Sequence, residues 1–151
     1  MTKCKSLFLA FCLLAICVAT GCGKAKVTGR VYFSDGTTPL TVGVVNFTDD
    51  KIICKGEINS ETGIFEMRTF KPGDGVPPGT YKVYITEATN FGMGKDVKSV
   101  GDASYQVVGA ATSLISPKYN TPEQSGLTIT VTKSMKYDIT LDDPPPKSAE
   151  E

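Results

Sequence analysis

From Lys26 onward the chain is rich in Val, Ile, Thr, Tyr and Phe, and Gly or Pro interrupts it about every 8–12 residues. β-branched and aromatic side chains favour a pleated, half-buried surface. Regular breakers cut that surface into short strands, and no stretch carries a convincing 3.6-residue apolar repeat. The pattern predicts an all-β fold, an antiparallel β-sandwich or barrel of about seven strands.

The strands read as follows. Val27–Phe33 is the first, closed by the turn Ser34-Asp35-Gly36, where Asp tolerates the turn start and Gly supplies positive φ. Val42–Phe47 is the second. Asp49-Asp50 leads into Ile52–Ile58, and Asn59–Gly63 turns the chain into Ile64–Phe70. In that run Phe65 and Met67 alternate with Glu66 and Arg68, one buried face and one wet. Residues 71–79 hold three prolines and three glycines and are read as loop. Tyr81–Thr86 resumes alternation, with Tyr81, Val83 and Ile85 inward. Leu127–Thr132 and Met135–Leu141 are expected to form a hairpin through Lys133-Ser134. Between them the pattern decays, which predicts a long loop over about 89–122, of the length that is often functional. Residues 142–151, with Pro144-Pro145-Pro146, predict an extended, solvated tail.

The first 21 residues are of a different kind. Lys3 and Lys5 precede the apolar run Leu7–Ala19, and small residues lead into Cys22. A run of 13 residues is short of the ~20 that span a bilayer. The order is that of a secretory signal peptide over 1–21, cut between Gly21 and Cys22. Residues 22–25 would then be the new N-terminus and a short tether, with 26–141 as the sandwich domain.

Removal of that segment leaves 130 residues with 14 basic and 16 acidic side chains. That length suffices for one domain with a real core. The near-neutral balance gives no support for nucleic-acid binding. Cys4, Cys12 and Cys17 leave with the signal, and Cys22 sits at the cut. Cys54 is left alone, which excludes an internal disulfide. In the run Ile52-Ile53-Cys54 it reads as a small buried hydrophobe.

The chain contains no histidine. Ser-His-Asp and Cys-His nucleophile systems and the commonest zinc ligand are therefore excluded. Asp35, Asp49 and Asp50 have the residue type of a calcium site but not the spacing of a calcium loop, and turn chemistry is the better reading. Glu57, Glu61 and Glu66 could pair for glycoside hydrolysis only at a fixed separation across a cleft. Gly73-Asp74-Gly75 has no helix after it and is no phosphate cradle. The reading carries no catalytic residue, no cofactor and no metal.

Ala19-Thr20-Gly21-Cys22 resembles the lipobox of bacterial lipoproteins, with Ala19 where Leu is commoner. The resemblance implies lipidation of Cys22, and two or three acyl chains anchor stably where one is marginal. Gly23 rather than Asp after the cysteine leans towards the outer membrane. Three further stretches resemble carboxypeptidase regulatory-like domains: Val27–Leu40 with Gly43–Phe47, Asp74–Val83, and Ile115–Tyr119 with Ser125–Val131. The last is similar to the end of small lipoproteins of planctomycete-type bacteria. The resemblance implies a transthyretin-like (prealbumin-like) sandwich of Greek-key type in the cell envelope, without an established activity. The implied partners are the membrane, through Cys22, and an envelope protein or a glycan. Surface modules of this kind also suggest an isopeptide bond, for which Lys26, Glu66 and Asp138 have the right types. Tyr84, Phe91, Tyr105 and Tyr119 are candidates for an aromatic contact surface.

Overall fold

The computed structural model describes residues 23–93 and 108–145. Ten strands follow in order: β1 (Val27–Tyr32), β2 (Val44–Thr48), β3 (Ile53–Glu57), β4 (Ile64–Glu66), β5 (Gly79–Thr86), β6 (Thr89–Met93), β7 (Val108–Ser113), β8 (Leu127–Val131), β9 (Met135–Lys136) and β10 (Ile139–Thr140). A 3₁₀ turn, Pro117–Asn120, precedes β8. The fold is an all-β sandwich, as the spacing of strands and breakers predicts.

One sheet is antiparallel throughout, in the order β3-β2-β5-β8. In the other, β1 is central, with antiparallel β4 on one edge and β9 and β10 on the other. Both β9 and β10 run parallel to β1. β6 and β7 form a separate two-stranded ribbon.

Ten described strands stand where about seven were expected, β9 and β10 run parallel to β1 where an antiparallel sandwich was, β6 and β7 occupy the segment read as loop, and two further details differ from the sequence reading. The first is the expected hairpin of the last strands: β8 pairs with β5, whereas β9 and β10 pair with β1. Residues 132–134 therefore cross between the sheets. A two-residue hairpin needs positive φ in its turn, and among the described residues only Asp50 and Glu87 adopt it besides glycines. Ser134 instead accepts the Lys26 N–H through its Oγ at 2.9 Å, which pins the crossing to the start of β1. The second is the strand read over Ile64–Phe70. Its paired part ends at Glu66, and Arg68 then bridges Lys55 of the opposite sheet. The run turns a corner of the sandwich.

Strand order follows from side chains that only fit one way. Gly29 lies where β1 meets the β9–β10 segment, and a Cβ there would lie 1.9 Å from the Tyr137 carbonyl oxygen. Between β9 and β10 the ladder lapses, and the Asp138 Oδ1 accepts the Arg30 N–H at 3.0 Å in place of a backbone carbonyl. Tyr137 reaches across the sandwich and meets the Phe47 ring edge-on at 6.1 Å, while Tyr81 stacks on Phe47 from its own sheet at 6.2 Å. Val27, Val31, Phe65, Val45, Val83, Ile85 and Val131 complete this interior and are fully buried. Each contributes on the order of 2 kcal/mol by burial.

The register gives the sandwich two distinct ends. Gly79 at the start of β5 lies opposite Val131, and Thr86 at its finish lies opposite Val44. Chain entry at Ala25 and the turns 49–52, 69–78 and 132–134 gather at the first end. The turns 33–43 and 58–63, the β6–β7 ribbon and residues 141–143 gather at the other. Both strands of that ribbon lie within the segment read as loop, and residues 94–107 lie outside the described residues.

Candidate functional site

Gly21 and Cys22 lie outside the described residues, and the described chain opens at Gly23. Lys24 and Ala25 lead straight into the fold. Ala25 N–H donates to the Val76 carbonyl at 2.7 Å, and Val76 N–H returns a bond at 2.8 Å. Ala25 is buried. The two-residue tether is part of the fold.

The partner of this N-terminal bridge is the loop 69–76, and Asp74 organises it. Its Oδ1 accepts the Thr69 N–H at 2.8 Å, and its Oδ2 accepts the Phe70 N–H at 3.1 Å. The Lys24 ammonium lies 2.8 Å from the same Oδ2. The Lys24 ammonium, followed by the Thr69 and Phe70 amides, holds the Asp74 carboxyl well below the usual carboxylate range. Hydrogen bonds to the charged form have that effect. Gly75 adopts φ +71°, and a Cβ on it would lie 2.6 Å from the Ala25 carbonyl oxygen. Only glycine lets the loop approach the N-terminal strand so closely. Thr69 Oγ1 donates to the Gly75 carbonyl at 2.6 Å and closes the loop from inside.

Phe70 projects from this loop and is 84% exposed. The Lys24 ammonium lies 4.9 Å from its ring centroid, within cation–π range. Phe70 was placed inside a strand by its sequence context. Alternation nonetheless points to its exposure, because Phe65 and Met67 face inward and put residue 70 on the opposite parity.

The other candidates resolve individually. Cys54 is buried, with its Sγ 3.6 Å from Thr69 Oγ1, and burial pushes its thiol up from the ordinary value. Asp35 and Asp49 cap turns: Asp35 Oδ1 accepts the Thr37 and Thr38 N–H groups, and Asp49 Oδ1 accepts those of Lys51 and Ile52. The Thr38 hydroxyl, then the Thr38 and Thr37 amides, lower the Asp35 carboxyl to about 2. Among the described residues no group of three acidic, cysteine or histidine side chains converges to hold a metal.

Glu57 and Glu66 line a groove of about 450 Å³ with Asn59, Thr62, Ile64 and Arg68. Arg68 is ion-paired with Glu57. Lys26 pairs with Glu66 at 3.2 Å, but Asp138 pairs with Lys136 at 2.8 Å. The three residues of the expected isopeptide are mostly exposed, with side-chain exposures of 65%, 44% and 36%, and water solvates the lysine that would have to attack.

Of the four aromatic candidates, the structure removes one from the surface. Tyr119 is buried, and its hydroxyl accepts the Asp142 N–H at 2.9 Å. Tyr84 is half-buried on β5. Tyr105 and the Phe91 side chain lie outside the described residues. No described helix is long and apolar enough to cross a membrane.

Comparison of the chain with known protein families, with curated proteins and with solved structures finds no match.

Proposed function

We propose that the chain is a lipid-anchored envelope protein, whose carboxypeptidase-regulatory-like sandwich acts as a non-catalytic binding or structural module. The lipid is carried by Cys22, exposed by cleavage after Gly21. The observation that carries this reading is the direct passage from residue 23 into the fold. Lys24 is clamped to Asp74 and Ala25 to Val76, so the domain is held within two residues of the proposed anchor. A domain that had to roam from its membrane would need a longer leash, of which each Gly/Ser-type residue extends the reach only slowly. The non-catalytic part rests on the sequence, which offers no histidine and no assembled nucleophile.

The test is phase partitioning and intact mass of the native protein beside Cys22→Ala. Detergent-phase recovery with acyl mass on Cys22, both lost in the variant, is the expected result. A soluble wild-type protein with a different N-terminus removes the anchor.

A second reading is a carbohydrate- or small-ligand-binding lipoprotein, favoured by the groove along β3 and β4. Its Asn, Thr, Glu and Arg side chains suit hydroxyl groups, and its volume is that of a small-ligand site. A glycan panel that raises the melting temperature of the wild type but not of Arg68→Ala selects this reading.

A further inference from the structure

We infer that the anchored end of the sandwich docks face-on to the bilayer, with Phe70 entering the interfacial layer and Lys51, Lys71 and Lys133 facing its anionic headgroups. The inference deepens the anchor reading and rests on it.

Three observations converge. First, Phe70 is the most exposed large hydrophobic side chain among the described residues, at 84%, and it lies against Lys24, two residues from Cys22. A single exposed ring is ordinary in itself, but beside the chain entry and among lysines it suits a membrane surface, where an aromatic buries its body while its neighbours stay wet. Second, the loop that carries it is held rigidly. Asp74 binds the Thr69 and Phe70 amides and the Lys24 ammonium together, and Gly75 packs on Ala25. Acyl chains on Cys22 would therefore enter the bilayer at a fixed offset from Phe70. Third, charge divides between the ends. Beside the Lys24–Asp74 pair, the turns at the anchored end carry Lys51, Lys71 and Lys133 against Asp49 and Asp50. Among the described residues at the opposite end, Asp35, Glu61, Glu87, Asp142 and Asp143 stand with one lysine, Lys118, which is paired with Asp142. Basic residues beside an acyl chain add the second signal that anionic lipid recognises, and the acidic end is repelled from the same surface.

The orientation has a consequence for any partner. The β6–β7 ribbon leaves from the acidic end and is presented away from the membrane, while the groove along β3 and β4 runs from the turn 58–63 to Pro72 and Gly73 of the docked loop.

The chain has no tryptophan, so Phe70→Trp introduces a single reporter. Val42→Trp, on an exposed position at the opposite end, is its control. Each full-length variant is purified from membranes and reconstituted into vesicles of phosphatidylethanolamine and phosphatidylglycerol with brominated acyl chains. Intact mass and flotation are recorded on the same samples. Acylated, floating protein in which the Phe70→Trp emission is blue-shifted and quenched by bromine, while Val42→Trp stays open to acrylamide, is the expected result. Acylated, floating protein with both reporters equally open to acrylamide overturns the docking and leaves the anchor standing. Unacylated protein that neither floats nor is quenched overturns both. Unacylated protein that is still quenched removes the anchor and keeps the docking surface. Lys71→Gln on the Phe70→Trp background is expected to weaken docking roughly fivefold on anionic vesicles, the weight of one lysine at such a surface. It should leave docking unchanged on phosphatidylcholine, and an equal loss on both overturns the headgroup contact.

Discussion

The two ends of this sandwich are fastened in different proportions. At the anchored end a charged side chain draws separate pieces of chain together, with Asp74 binding loop amides and the Lys24 ammonium around one carboxylate. At the opposite end one such tie, the Asp143 carboxylate accepting the Ser116 N–H, stands beside a larger apolar share: buried Leu40, Ala88, Ile115 and Tyr119, with Tyr119 hydroxyl and backbone bonds closing the 3₁₀ turn onto residue 142. An end fastened by charge can hold the chain entry rigid without filling much volume. An end fastened by burial can carry an extra ribbon. The difference teaches that rigidity and bulk have separate causes in one small fold.

The strand that spans both ends offers the largest effect. Gly29→Ala places a methyl group 1.9 Å from the Tyr137 carbonyl oxygen, where backbone must give way. We expect a loss above about 3 kcal/mol, from overpacking plus a broken ladder, read by urea denaturation. Both ends should unfold in one transition. Two separate transitions would show that the ends are independent.

The next comparison sets glycine against glycine. Gly75→Ala meets the Ala25 carbonyl at 2.6 Å with φ +71°, and Gly43→Ala meets the Thr86 carbonyl at 3.1 Å with φ +132°. Each should cost about 2 kcal/mol, with the closer contact costing more. Cys54 distinguishes them, because its Sγ lies behind the anchored-end loop, beside Thr69. Its thiol should be inert to alkylation in the native wild type, as burial and a raised pKa both require. Alkylation should quicken in Gly75→Ala well before it does in Gly43→Ala at matched stability.

A smaller effect belongs to the opposite end. Tyr119→Phe removes the acceptor of the Asp142 N–H and should cost about 1 kcal/mol. Cys54 labelling should stay at the wild-type rate.

The last comparison is Asp74→Asn: the amide oxygen can still accept the Thr69 N–H, while the ion pair to Lys24 and the acceptor of the Phe70 N–H are lost. Its signature is in acid. The folded pKa of Asp74 lies below the unfolded carboxylate value of ~3.9, so its contribution is complete above that value. The contribution fades as pH falls towards the folded value. Asp35, lowered to about 2, follows the same sign at the opposite end. Melting temperature against pH should flatten for Asp74→Asn below about pH 5, and its Cys54 should label faster than that of the wild type at neutral pH, where the clasp is complete. A slope equal to wild type removes Asp74 as the clasp.

The strands were legible because alternation and breakers are local signals. Tyr81, Val83 and Ile85 face the core as their spacing requires, and Cys54 is buried as its apolar run implies. The pairing of the last strands was not legible. Alternation in 127–132 and 135–141 looks the same whether they pair with each other or with β5 and β1. The place of Tyr119 was misjudged for a related reason. Tyr119 follows a Pro in a segment without periodicity, so its burial depends on the 141–143 backbone that arrives from elsewhere. Phe70 was visible by parity but hidden by its position at a run's end.

By itself, the sequence determined the all-β class, the positions of the turns and the identity of the buried face, because each depends on residues within a few positions of one another. Only the tertiary structure decided that Lys24 meets Asp74 across 50 residues, that Gly29 makes room for Tyr137, and that Phe70 stands beside the chain entry. Those choices turn on which strands lie side by side. That is settled by the joint packing of two sheets around Phe47, where Tyr81 and Tyr137 fit from opposite layers.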